Sequence, residues 1–564
     1  MNMNTKKLLS LAIAAYFSIA GALAGGNERG IDLYRAELYD AAKIFFLEQT
    51  NQTPREQAEN QYYLGQTYYE LQKTDSATYY YAKAVETDPE YPFGYVGQGV
   101  LALAQKDTKA AESLFKTAAG LAAKKDPSVQ TAIAEAYIDA AMYPQAEAAL
   151  VKAEKLDKKY SGIFMAKGHQ ALEEKKQDQA YQWYEQAIYF NPNDKVAYLK
   201  LAKAYEGTNS PVALEYLAKL VAIDPDYIPA YALIGDINRE KGMYPQALQA
   251  YEKFISIPGV PVLQHDRYAQ LLYFTKQYDK SLQQIDYVLQ HEPTNPVMHR
   301  IQAYDNFELN NSALALQQMA QFLKDNPVDK HIYLDYITYG RLLLEEKQPE
   351  AAIDAFQKAA ALDPSKAEVY KELATAYDKV KDYPEESKAY EKYFELAENP
   401  GSSDYFYYGQ ALYSVASKYI DAGYLESPIT PEQKQIDDAD FYNYIKKGNA
   451  AFSEVTTLSP ESYLGYLWKA NLNFLVDYKE RETKNSPFKG EAKPYYEEAL
   501  NVMLSHNEEG KRNKDILSAY NYLASYYLLL DDQANAGEYY KKILEIDPEN
   551  ADAKKVLDTL KIKY

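Results

Sequence analysis

The sequence predicts an all-α protein, an α-solenoid of stacked helix–turn–helix pairs with a C-terminal capping helix. Three observations predict it. Prolines that follow an acid or an amide recur at Pro89, Pro127, Pro192, Pro225, Pro293, Pro327, Pro364, Pro400 and Pro548, and neighbouring intervals such as Pro192–Pro225 and Pro293–Pro327 lie near 34 residues. Between these prolines run two segments with apolar residues three and four apart, the spacing of a helix face. Tyr336, Tyr339, Gly340 and Leu343 form one such stripe, and Ala352, Phe356 and Ala359 form the next. Finally, one position per unit is always Gly or Ala: Gly65, Gly99, Ala134, Gly168, Ala202, Gly235, Ala269, Ala303, Gly340, Ala374, Gly409, Ala470 and Ala524. Two helices joined by a short turn approach closely only where the contact lacks bulk.

The elements follow in order. Residues 1–24 read as a secretory signal peptide: Lys6 and Lys7, an apolar stretch from Leu8 to Ile19, and a small-residue site at Ala22-Leu23-Ala24, with cleavage expected after Ala24. Residues 25–400 form an N-terminal array whose first unit, around Gly30 to Phe46, is degenerate. Regular units show a second small residue on the second helix, at Ala77, Ala111, Ala146, Ala180, Ala213, Ala247, Ser281, Ala315 and Ala352, and later at Ala492 and Ala536. A ring four residues on, such as Tyr81 or Phe356, is expected to fill the gap to the next unit. The closing proline has no amide hydrogen and ends the pair. Residues 401–510 depart from the period, with about 25–30 extra residues between Leu412 and Phe452 and about 10 between Asn473 and Tyr496. Pro428, Pro431 and Pro487 predict loops there. Residues 511–564 hold a last unit and a Lys-rich cap, Ala551 to Tyr564. About fourteen pairs result.

This pattern resembles the tetratricopeptide repeat, a 34-residue helix–turn–helix unit. The resemblance implies a concave face lined by the first helices, with ligand contacts near repeat positions 5, 9 and 12. Those positions fall on Tyr62, Gln66 and Tyr69, on Met165, His169 and Leu172, and on Lys203, Asp236 and Arg239. They continue at Arg300, Tyr304 and Phe307, at Arg341, at Phe406, Gln410 and Tyr413, and at Asn471 and Phe474. Aromatic anchors among dispersed polar groups suit an extended peptide or a partner helix. The clamp with which some family members hold acidic tails is not carried over, because Lys203 is followed one unit later by Asp236 and not by Asn.

Composition narrows the function. A net charge of −20 makes nucleic acid a poor partner. The absence of cysteine excludes disulfides, thiolate metal sites and a lipidated N-terminal Cys. The 58 tyrosines point to a broad, half-wet surface. No phosphate-binding loop, nucleophile elbow or metal-helix spacing occurs; His291 and His299 flank one turn, and Asp437, Asp438 and Asp440 read as a solvated helix start. The expectation is an exported, non-catalytic scaffold with no cofactor and no metal, binding protein or peptide partners in the periplasm of a bacterial envelope. The chain resembles exported Tyr-rich members of the family in Gram-negative bacteria, which implies a part in secretion or outer-membrane assembly. A glycan-binding adaptor of an outer-membrane uptake system, and an enzyme housed in residues 412–496, are the alternative readings.

Overall fold

The computed structural model describes residues 26–421, 430–483, 489–505 and 510–564. The expected signal segment, Pro428 and Pro487 lie outside them. Among the described residues there are 29 α-helices and no strand. They form fourteen antiparallel pairs, from Glu28–Arg35 with Tyr39–Glu48 to Asn513–Leu529 with Gln533–Ile546, followed by the single helix Ala551–Thr559.

One pair shows why each unit folds as it does. Tyr333–Glu345 ends where Lys347 turns left-handed at φ +58°. The Lys347 N–H then donates to the Leu344 carbonyl at 3.0 Å, and the Gln348 N–H to Leu343 at 2.8 Å. These bonds satisfy carbonyls that the helix end leaves over. Pro349 starts the second helix, Pro349–Leu362, where a missing amide hydrogen costs nothing. The same left-handed residue recurs as Gln72, Lys106, Lys175 and Lys276.

Packing across the turn rests on the small positions. Every alanine of the first-helix series is fully buried, and so are all members of the second-helix series named above. A Cβ added at Gly340 would lie 2.3 Å from the ring of Phe356; at Gly65 it would lie 2.4 Å from Tyr81, and at Gly97 of the next pair 2.2 Å from the same ring. Tyr81 is thus wedged between its own pair and its successor, which couples neighbouring units.

The chain divides into two compact units, one ending at Asp305 and one beginning at Asn306. Within the second, one apolar cluster runs from Tyr336 to Leu412 and Ala451, so packing continues through Pro400. The loop expected at Pro431 is not there. Pro431 is the first residue of a 28-residue helix, Pro431–Leu458, and the Thr430 hydroxyl accepts the Gln433 N–H at 3.1 Å. A proline with a capping threonine before it starts a helix as readily as it breaks one. Among the described residues much of the extra length is helix, and Tyr463–Thr483 is lengthened too, to 21 residues. At the far end, Ala553 and Leu557 are buried and Ile562 covers Gly537, which closes the last pair. No helix among the described residues is long and apolar enough to cross a membrane.

Candidate functional site

The first helices of the pairs carry the positions at which ligand contacts were expected, and in the first unit several of them meet one segment. The N-terminal hairpin, Glu28–Arg35 and Tyr39–Glu48, packs on the helix after it and also on helices far along the chain. Near contacts are rings and amides: Phe46 stacks on Tyr63, Tyr34 meets Tyr63 edge-on, and Asn60 donates to the Phe46 carbonyl at 3.0 Å. Far contacts combine charges with apolar packing, since Leu33, Ala41, Ala42 and Phe46 share one buried cluster with Leu248, Phe254, Ile257 and Val260. Lys195 reaches Asp32 at 2.5 Å, 163 residues away in sequence, while Lys200 and Lys203 reach Glu37 at 2.8 and 3.1 Å. Ala36 packs with Tyr198, Leu199 and Ala202. The bare α-carbon of Gly259 leaves room for Ala41, whose backbone a Cβ there would meet at 2.9 Å.

Around this hairpin the inner face is rich in carboxylates. Desolvation by the surrounding chain raises the Glu135 carboxyl, with His169 opposing, and raises Glu70, although both residues keep exposed surface. It pushes Asp139 up to about 7, with Glu70 and Glu173 adding to the rise. Arg35 of the hairpin faces Tyr63, Glu135, Asp194 and Tyr160, which hold its charge firmly. Burial alone would raise Glu37, but Lys200 and Lys203 outweigh it and leave its carboxyl lowered.

Of the sequence-predicted residues in this unit, Tyr69 and His169 share the neighbourhood of Asp139, the imidazole lying 3.6 Å from that carboxylate. Lys203 is engaged by Glu37. Tyr62 and Gln66 belong to packing instead: Tyr62 is buried among Tyr63, Tyr81, Tyr91 and Phe93, and Gln66 bridges the Tyr62 and Tyr81 hydroxyls at 2.8 and 2.6 Å. Arg239 lies 3.8 Å from Asp236, which also accepts from Tyr251 and Arg267. Met165 is half-buried and Leu172 exposed. Arg300 is half-buried, and Tyr304 is buried beside Tyr273.

In the second unit Phe307 is half-buried. Arg341 binds Glu368 and, at 2.7 Å, Glu372 of the next first helix; burial alone would lower its pKa, but the two carboxylates outweigh it and raise it. Phe406 and Tyr413 both pack edge-on against Trp468, and Gln410 is half-buried between them in sequence. Asn471 accepts from the Tyr496 hydroxyl at 2.8 Å. Phe474 keeps 41% of its surface exposed and touches Tyr522 edge-on.

Sequence reasoning missed Asp32, Arg35 and Glu37, because the first unit is degenerate and its partners lie far away. It also missed Asp477. That buried carboxylate accepts the Glu491 and Ala492 amides at 2.6 and 3.0 Å and the Tyr522 hydroxyl at 2.6 Å. His291 and His299, which flank one turn, are each turned to a carbonyl: His291 to Tyr287 and His299 to Pro293. Asp438 pairs with Lys479 at 2.7 Å, and Asp437 accepts from Gln433. Among the described residues no cluster of His, Asp and Glu has the arrangement of a metal site.

Stacked helix pairs with small residues at both contact positions define a helical-repeat protein. Residues 62–127, 228–259, 302–366, 337–403 and 517–550 match the tetratricopeptide repeat family, and these segments are tetratricopeptide repeats. The same pairing continues between and beyond them. No curated protein matches the chain. Among solved structures, the C-terminal part of a TPR repeat-containing protein from Cytophaga hutchinsonii is 23% identical, with a TM-score of 0.37, over 52% of this chain and 99% of that one. A tetratricopeptide repeat protein from Parabacteroides merdae is 18% identical, with a TM-score of 0.27, over 44% of this chain and 98% of that one.

Proposed function

We propose that this protein is a non-catalytic scaffold that binds protein partners through the first-helix face of its repeats, and that it works after export, in the periplasm. The observation that carries the reading is the make-up of that face. In the first unit the partly exposed Tyr69 and His169 stand beside Asp139, and in the second the exposed ring of Phe474 and the guanidinium of Arg341 lie on first helices of their own pairs. Such a surface recognises a long segment through several modest contacts. Export rests on the order of charge, apolar run and small-residue site in residues 1–24. A role in secretion or outer-membrane assembly is the finer form of the proposal.

Crosslinking in cells followed by purification from envelope fractions is expected to recover defined protein partners. Phe474→Ala should lower that recovery without changing helicity. Recovery of the same proteins at the same yield from the variant would overturn the assignment of this face. N-terminal sequencing of the purified protein should begin at Gly25; a chain that still begins at Met1 would overturn export through a cleaved signal.

A further inference from the structure

A degenerate first repeat ordinarily covers the open end of an array and touches only its neighbour. The hairpin here does more. One side is anchored to Pro54–Glu70 by stacked rings and by Asn27, which donates to the Glu56 carbonyl at 2.8 Å and the Glu59 carboxylate at 2.9 Å. The other side crosses to helices Lys195–Tyr205 and Ile228–Glu240 and to the Gly259 turn. The two contacts differ in make-up. Phe46 and Tyr34 give the near side bulky rings to pack. The far side also packs apolar residues, Ala36, Leu38, Ala41 and Ile44 among them, and adds ion pairs of Asp32 with Lys195 and of Glu37 with Lys200 and Lys203. Partly exposed ion pairs are weak and screened by salt, whereas ring packing is not. If the hairpin lets go anywhere, it lets go on the far side and stays hinged on the near one, at the short connection Gln49–Thr53 where Asn51 has φ +59°.

We propose that the hairpin Glu28–Glu48 is a clasp that closes the first unit on itself. Release of Lys195, Lys200 and Lys203 from Asp32 and Glu37 is the step that admits a partner segment to the inner face at Tyr69, His169 and Lys203. The partner clause rests on the scaffold reading above; the clasp does not. Closure occupies Lys203, one of the positions the repeat offers to ligands, with the chain's own acid. An entering segment therefore competes with Glu37 for that lysine, and the chemistry that fits is a single carboxylate placed at Lys200 and Lys203 on a segment otherwise free of acids, because the face beyond them is itself acidic.

The test uses the full chain and no partner. In Lys200→Glu with Lys203→Glu, amide exchange across residues 28–48 should quicken at least tenfold, while residues 54–70 and 195–205 stay protected. Adding Glu37→Lys should restore the protection. Raised salt should move the unaltered protein in the same direction as the double variant. Because the chain has no cysteine, Tyr69→Cys gives a single thiol, and its maleimide labelling should speed up in step with hairpin exchange. Hairpin exchange that does not change, or that rises only together with the whole first unit, would overturn the clasp. A labelling rate indifferent to the double variant would overturn its control of the inner face. Failure to capture partners in envelope fractions bears on the scaffold reading alone, since neither readout here involves one.

Discussion

The pair Tyr333–Leu362 and the pair Ser402–Leu458 do the same job with very different amounts of chain. In the first, Gly340 receives the ring of Phe356, sixteen positions on, across a turn of three residues. In the second, Gly409 receives Phe452, forty-three positions on, and a Cβ at Gly409 would lie 2.5 Å from that ring. The small residue four places before the ring is Ala352 in one and Gly448 in the other; a Cβ at Gly448 would lie 2.6 Å from Leu472. What persists is the contact of a small residue with a ring, and the connecting length is free to grow. The added length is also put to use. Residues 431–440 stand outside the packed core, and burial begins at Phe441. There Lys479, from the other lengthened helix, lies 4.3 Å from the Phe441 ring centre and binds Asp438, so the two insertions brace each other.

The largest expected effect tests that equivalence directly. Gly340→Trp and Gly409→Trp should each lower stability by more than about 3 kcal/mol in denaturant unfolding, because neither site has room for even one carbon. A tolerated Gly409→Trp beside a damaging Gly340→Trp would show that the stretched pair does not rely on close approach. Next comes Asp477→Ala. It strips partners from two amides and the Tyr522 hydroxyl, and should cost about 1–3 kcal/mol. Faster amide exchange confined to residues 489–505 would locate the damage; an unaltered exchange pattern would mean that the acid does not hold the second insertion.

Between the two pairs lies an exception that sharpens the rule. The second-helix small position of the pair Ala367–Leu396 is occupied by Glu386, which is buried and whose Oε2 finds no hydrogen-bond partner. Burial pushes its carboxyl up to about 8, with Asp378 adding and Lys379 opposing. A folded-state value above the ordinary one means that the folded chain holds a proton which the unfolded chain has lost. Stability from this group is therefore present below about pH 4.5 and falls as pH rises towards 8. Glu386→Gln should flatten that fall in thermal unfolding scans between pH 5 and 8. A parallel fall in the variant would place the titration elsewhere. The smallest effect is expected at Ile436→Ser, on the exposed start of the long helix, where a change within about 0.5 kcal/mol is predicted. A larger loss would mean that residues 431–440 carry packing after all.

Much of the fold was legible because its stabilising contacts are local. A small residue and the ring that meets it sit at a fixed separation, so the helix type, the pairing and the number of pairs can be counted along the chain. The stretched pair hid Gly448 because the period was lost, although the Gly followed four places later by Phe was there to be read. The candidate face was legible only as positions. Whether a ring at such a position packs, as Tyr62 does, or stays partly open, as Phe474 does, depends on neighbours from the adjoining pair.

By itself, then, the order of residues determined the repeated element, its tight turn and the order in which elements stack, since each depends on partners within one or two units. Only the tertiary structure decided that a degenerate opening hairpin returns to Lys195 and Gly259, and that two insertions meet at Lys479. The physical reason is the same for both. Curvature accumulates from small rotations between neighbours, and no local spacing states which distant surfaces it will bring together.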